Sequence, residues 1–216
     1  MLNIGLAGLG WWGKHMTRTL EQSKKINLVR AAEVNIDGMQ DFIAENSLLA
    51  TRNFDDLLTD RNVDAIILAT PHASHEDQIA KAANAGKHVF CEKPPGRDVQ
   101  DIERVVACHA SRAGQKLKYG FNHRYHESVQ DALQALASGD LGDVIDMRGV
   151  YGKSQLITFD QTSWRTERAL AGGGVLLDQG IHMVDLIRLF GGEFTDIKSF
   201  VSNRVWGHDD LDEQVA

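Results

Sequence analysis

The chain has 216 residues, 43% hydrophobic and 25% charged, which suits one or two globular domains with a proper core. A formal net charge of −7 and the lack of any Lys/Arg cluster argue against nucleic acid or anionic membrane as partners. Cys91 and Cys108 lie in a strand-like and a helix-like segment with no secretion signal ahead of them, and no apolar run reaches the ~20 residues of a membrane helix. Free thiols in a cytoplasmic protein are the expectation.

From the N-terminus, the apolar run Leu2 to Ala7 predicts a strand that ends in Gly8-Leu9-Gly10-Trp11-Trp12-Gly13. This is G-x-G-x-x-G between a strand and a helical pattern. Gly8 permits the tight turn, Gly10 lets a pyrophosphate approach the backbone, and Gly13 lets the helix pack close to the strand. The helix over 14–22 offers its N-terminal N–H groups and positive dipole end to phosphates. A second strand over 28–34 carries Glu33, twenty residues after Gly13. A carboxylate there can accept both ribose hydroxyls of NAD and would repel the 2′-phosphate of NADP. The expected nucleotide-binding set at this end is Gly8, Gly10, Trp11, Trp12, Gly13 and Glu33.

A short helix over 38–45 and a helical turn over 54–58 follow. Residues 63–69, VDAIILA, read as a central parallel strand buried on both faces. Thr70 and Pro71 close it, at the strand end where doubly wound sheets bind ligands. His75 opens a helix over 76–85 and is expected to touch the cofactor or its loop. His72 and His75, like His123 and His126, have a spacing that could suit a metal, but no nearby cysteine or carboxylate completes a set, so no metal is expected. The strand 88–91 ends in Glu92-Lys93-Pro94-Pro95, with Glu92 and Lys93 at the same sheet edge. A lysine there can polarise a substrate oxygen. A helix over 99–113 and a strand over 117–121 complete a doubly wound parallel α/β sheet.

Beyond Phe121 the rhythm changes. A helix over 128–138, a strand over 144–151, an irregular stretch 154–168, a helix over 172–190 and a strand over 194–206 predict an α+β domain with a mainly antiparallel sheet. It ends without a capping element, which suggests an incomplete domain. In AGGGVLLDQGIHMVDLIRLFGG, Asp178, His182 and Asp185 share one helix face at i, i+4 and i+7. The helix is apolar nearly all round and is expected to be buried. Burying carboxylates and an imidazole costs several kcal/mol unless they are paired or face a polar ligand, so they mark a site. His182, with an ordinary pKa of about 6.5, is the candidate base, Asp178 shares the substrate with it, and Asp185 serves in support.

With these stretches in hand, GLGWWG, ATPHASH, CEKPP, GFNHRY and GGGVLLDQGIHMVDL stand in the order of the Gfo/Idh/MocA oxidoreductases, which the chain resembles from residue 2 to its end. The resemblance implies a Rossmann domain over 1–121 and an α+β substrate and oligomerisation domain beginning at 122 and running to 216. It implies NAD or NADP as cofactor and hydride transfer at a carbon bearing a hydroxyl. Lys93, Asp178 and His182 match the family's catalytic positions, and Asn122 and Arg124 match a segment near its substrate. Trp164 and Arg165 resemble a pair near its nicotinamide. Pro95-Gly96 departs from the small apolar residues usual after Glu-Lys-Pro, and the family's second domain continues past residue 216, so the chain reads as a truncated one. The expectation is an NAD-dependent dehydrogenase of a sugar, polyol or similar small molecule, in a homo-oligomer (dimer or tetramer). The alternatives are a non-catalytic nucleotide sensor on the same scaffold and an inactive fragment of such an enzyme.

Overall fold

The computed structural model describes residues 1–112, 114–152, 163–202, 211, 214 and 215. They form two compact units, residues 1–120 and 121–216.

The first unit is a six-stranded parallel sheet. Its strands are β1 (Leu2–Ala7), β2 (Ile26–Ala32), β3 (Ala50–Thr51), β4 (Ala65–Leu68), β5 (His88–Cys91) and β6 (Leu117–Tyr119), in the order β3-β2-β1-β4-β5-β6. The order reverses between β1 and β4, the switch point at which such sheets open a crevice beyond their carboxyl ends. The two-residue period of β4 explains why it reads as an unbroken apolar run. Ile66 and Leu68 join one buried cluster with Leu57, Ile79 and Val105, while Ala65 and Ile67 join the other with Ile4, Leu6 and Phe42. Both faces are therefore covered by helices: α1 (Trp11–Leu20), α2 (Gln40–Glu45), α3 (Asp55–Thr59), α4 (His75–Asn84) and α5 (Val99–Ala110). Each expected element is present with ends shifted by a few residues. β3 was not expected, because two residues show no period. It forms where Ala31 and Ala32 of β2 offer their free edge to Ala50 and Thr51.

The second unit holds a short turn over Asn122–Tyr125, α6 (Glu127–Ala137), α7 (Arg168–Ala171), a π-helical turn Leu176–Gly180 and α8 (Ile181–Gly191). An antiparallel pair, β7 (Val201–Ser202) with β8 (Gln214–Val215), is the sheet among the described residues. Three expectations need correction. Residues 144–151 form no strand. They lie along α8 instead, where a Cβ on Gly149 would run into the Met183 side chain and one on Gly191 into Met147. Alternation alone makes no strand without an edge to pair with. The helix expected over 172–190 starts three residues late, at Val175, and its first turn is π-helical; Gly172, whose left-handed backbone (φ +84) ends α7, stands before it. Nor is it buried all round: Leu176 and Val184 are exposed, whereas His182 and Asp185 are covered. The rest of the expected stretch 154–168 before Ser163, and of the strand 194–206 after Ser202, lies outside the described residues.

Candidate active site

Each candidate group is placed by an identifiable local constraint. In the first unit, β1 delivers the chain to Gly8, whose backbone is left-handed at φ +91 and whose missing Cβ would lie 2.6 Å from the carbonyl oxygen of Ala69 at the end of β4. At Gly13 an added Cβ would collide with the carbonyl of Gly8, so α1 reaches its close seat on β1 only with glycine. Gly10 differs: nothing lies within 4 Å of where its Cβ would be, which leaves that face of the turn open to a ligand. The first turn of α1 has no acidic residue and no side-chain cap, so its N–H groups and dipole remain available to an anion. Trp11 is exposed and stacks on Trp12 at 5.6 Å and on His15 at 6.1 Å.

Glu33, just past the end of β2, closes the turn from the side. Its two carboxylate oxygens accept the backbone N–H of Leu9 at 2.6 Å and of Asn35 at 2.8 Å. A carboxylate oxygen has further acceptor capacity, so this geometry still leaves room for ribose hydroxyls. These features fit a dinucleotide: an open glycine face, an uncapped helix start and a fixed carboxylate.

His75 ties two loops together. It is fully buried, with Nδ1 2.8 Å from the carbonyl of Pro94 and Nε2 3.0 Å from that of Thr70. A neutral imidazole has a single N–H and can donate to only one of them at a time. Burial holds its pKa below the ordinary value, the two carbonyls pull the other way, and the charge of Lys93 lowers it further. His75 therefore braces the Thr70-Pro71 loop against the cis Lys93-Pro94 bond. The Thr70 hydroxyl donates to Gln78 at 2.6 Å. Glu92 is partly buried, and burial pushes its carboxyl above the usual range. The Trp12 indole N–H, the Lys93 N–H and the Lys93 charge pull it back. That indole N–H is itself buried and approaches Glu92 without the geometry of a full hydrogen bond.

Asp101 was not anticipated. It is 1% exposed on α5, and its carboxylate accepts the backbone N–H of Arg97 at 2.9 Å, Arg97 Nε at 3.1 Å and an Arg104 guanidinium N–H at 2.5 Å. Burial alone would raise its pKa; the bonds to Arg97 and the charges of Arg97 and Arg104 outweigh it and hold the carboxyl below the usual range. Asp101 thus pins the loop that follows Lys93-Pro94-Pro95.

In the second unit, His182 is 5% exposed on α8. Its imidazole lies face to face with that of His123, with centroids 4.0 Å apart and planes 12° from parallel. Phe121 meets it edge-on at 6.2 Å, and Tyr151 lies nearly parallel at 6.4 Å. Asp178, on the π turn, accepts the Gln179 amide at 2.8 Å and has Arg165 Nε at 3.8 Å. Arg165 also covers the face of Trp164 at 4.3 Å. Arg124 is clamped to Asp185 through two hydrogen bonds, Nε to Oδ2 at 2.7 Å and an Nη to Oδ1 at 2.5 Å. This bidentate pair fastens the 122–125 turn to α8. Asn122 is exposed. Two of the expected substrate contacts, Arg124 and Arg165, thus bond carboxylates of their own unit. His123 escaped the sequence reading because a His-x-x-His spacing directs attention to metal. Among the described residues no group of three or more His, Cys, Asp or Glu is disposed to hold one. Lys93 belongs to the first unit and Asp178 and His182 to the second.

Comparison with known proteins bears on both units. Residues 2–121 match the model described as "Oxidoreductase family, NAD-binding Rossmann fold", and residues 129–216 match the "GFO/IDH/MocA C-terminal domain". The 1-carboxy-3-chloro-3,4-dihydroxycyclohexa-1,5-diene dehydrogenase of Comamonas testosteroni is 30% identical over 207 residues, covering 93% of this chain and 50% of the relative. Levoglucosan dehydrogenase, solved with NADH and levoglucosan, superposes with a TM-score of 0.88 at 26% identity, over 99% of this chain and 62% of that one. Scyllo-inositol dehydrogenase from Lactobacillus casei, solved with NAD(H) and scyllo-inositol, gives 0.80 at 30% identity, over 94% and 60%. The chain spans about half the length of the curated relatives it matches.

Proposed function

The chain belongs to the GFO/IDH/MocA oxidoreductase family, and from that premise we propose that it is, or is the N-terminal part of, an NAD-dependent dehydrogenase acting on the CH–OH group of a sugar or polyol. Levoglucosan and inositols, the substrates named for several similar proteins, support this chemical class. Residues 1–121 hold the nucleotide, and residues 122–216 begin the substrate and oligomerisation domain. Bound NAD supplies a hydride acceptor.

The chain's own groups do the rest. Lys93, in the loop braced by His75 and Asp101, donates to the substrate oxygen and stabilises negative charge developing there. His182 in its neutral form takes the hydroxyl proton. Asp178 and the Arg165 beside it hold the remaining hydroxyls. The nucleotide contacts are Gly8, Gly10, Gly13, Trp11, Trp12, Glu33, Thr70, Pro71 and Glu92, and Asn122 and Trp164 face the substrate. The single observation that carries the reading is His182: a nearly buried imidazole on a helix whose other covered residue is a paired carboxylate. Burying such a group has a cost in stability, and buried ionisable side chains gather at functional sites.

No helix among the described residues is long and apolar enough to cross a membrane. A cytoplasmic homo-oligomer, dimer or tetramer, completes the proposal. Ile145, Val150, Ile197 and Phe200 give the second unit exposed apolar surface for such contacts. The test is NADH formation across a panel of polyols and sugars. With a substrate found, His182→Ala and Lys93→Met should each lower kcat by about 10²–10⁴. Near-wild-type rates in both variants overturn the assignment.

A further inference from the structure

His123 has no place in the proposed chemistry, yet it makes the closest ring contact of His182. The contact is held from two sides. Arg124, the next residue, is locked through both bonds to Asp185, which sits three positions after His182 on α8. The short turn Asn122–Tyr125 thus cannot slide along α8 without breaking a paired, largely covered carboxylate. Tyr151 lies beside the pair, 5.8 Å from the His123 ring and 6.4 Å from that of His182 and within 20° of parallel to both. Phe121 closes the edge of His182. A general base must present its lone pair at a fixed angle, and a rigidly stacked ring is a direct way to fix it.

The contact also has an electrostatic side. Two imidazolium ions with centroids 4.0 Å apart repel strongly in a partly buried setting, whereas one imidazolium against one neutral imidazole does not. The carboxylates on α8 and on the turn before it have partners of their own. Asp185 is neutralised by Arg124 on the adjoining turn, and Asp178 on the preceding helical turn is bonded to Gln179 and flanked by Arg165.

We propose that His123 is a positioning residue for His182, fixing its ring plane by stacking and sharing a single proton with it, so that the base at 182 stays partly neutral in acid where a lone histidine would be fully charged. In the singly protonated pair the proton divides between the rings, and the molecules carrying it on His123 keep a competent base. The acid limb of activity then falls in two steps. This rests on the reading of His182 as the base.

The test has one arm that needs no turnover. The imidazole Cε1–H signals of the two residues, identified by their loss in His123→Gln and His182→Gln, are followed by NMR from pH 4 to 9. The expected result is a broadened or biphasic curve for His182 in the wild type, with steps separated by about one pH unit or more, and a single sharp step in His123→Phe. Identical single-step curves in the wild type, His123→Phe and His123→Gln overturn the proposal, and agreement between the two variants guards against loss of folding in one.

The kinetic arm applies once a substrate is known. His123→Ala should lower kcat roughly tenfold with little change in KM. His123→Phe, which keeps a ring on the stack, should return kcat at pH 8 to 9 to within about threefold of wild type while losing the acid shoulder. An acid limb of unchanged shape in His123→Phe counts against the shared proton. Failure to find any turnover, with the coupled titration present, counts against the dehydrogenase reading and leaves the pairing standing.

Discussion

Glu33 accepts the backbone N–H of Leu9 at 2.6 Å, so the carboxylate at the end of β2 and the glycine turn at the end of β1 are one unit rather than two neighbours. The group suited to read the ribose also sets the shape of the loop suited to hold the pyrophosphate. Glu33→Ala should therefore weaken NAD binding by about tenfold or more, since a charged hydrogen bond contributes about 1.5–3 kcal/mol. It should also narrow the preference over NADP, because the repulsive charge is gone. Nucleotide titrations followed by the fluorescence of Trp11 and Trp12 check both, and an unchanged NAD to NADP ratio would remove Glu33 from the specificity argument.

Breaking the Arg124–Asp185 clamp from the carboxylate side leaves a guanidinium without its partner. Asp185→Ala is expected to cost about 2–3 kcal/mol in urea unfolding, less than a fully buried pair loses because Arg124 keeps some contact with water. Adding Arg124→Met should recover part of the loss, the sign that an unpaired charge rather than lost packing is responsible.

The buried imidazole of His75 gives a dependence on acid whose sign can be worked out. Its folded pKa lies below its unfolded value near 6.5, so the unfolded chain binds more protons in that interval. The stabilisation is complete above about 6.5 and is lost as the pH falls through the folded value. A thermal scan series from pH 7.5 to 5 should show the melting point dropping on the acid side. His75→Asn should start lower at neutral pH and flatten that drop. Equal slopes in the two proteins would show that the acid sensitivity lies elsewhere.

Asp101 makes a prediction about a loop rather than about a reacting group. Asp101→Ala removes the acceptor of the Arg97 N–H and leaves Arg97 and Arg104 without their shared carboxylate. Hydrogen exchange at the Arg97 amide should speed up by about tenfold or more, and global stability should fall by about 2–3 kcal/mol. If the loop after Pro94 positions Lys93, kcat falls as well; protection at Arg97 equal to wild type would show that Asp101 holds nothing there.

Much of this was legible in the residues. The strand–glycine–helix order, the apolar run of β4 and the amphipathic helices α4 and α5 each follow from a local period, and local signals survive folding. What the sequence hides depends on pairing across distance. Residues 144–151 alternate like a strand but find α8 instead of a sheet edge. Asp101 looks like any first-turn acid until two arginines close on it. The partners of Arg124 and Arg165 are set by which helix face each turn meets, and spacing within one segment carries no trace of that. The histidine beside His182 comes from a turn 59 positions earlier, which a spacing argument about His123 and His126 pointed away from.

The near-collision at Gly13 has an evolutionary corollary. Because even one methyl there meets a backbone carbonyl that cannot swing aside, the turn admits no graded adjustment: it is kept whole or lost. Descendants of this chain that drift toward another nucleotide must do so through the side chains around the turn, and its bend becomes the least negotiable part of the molecule.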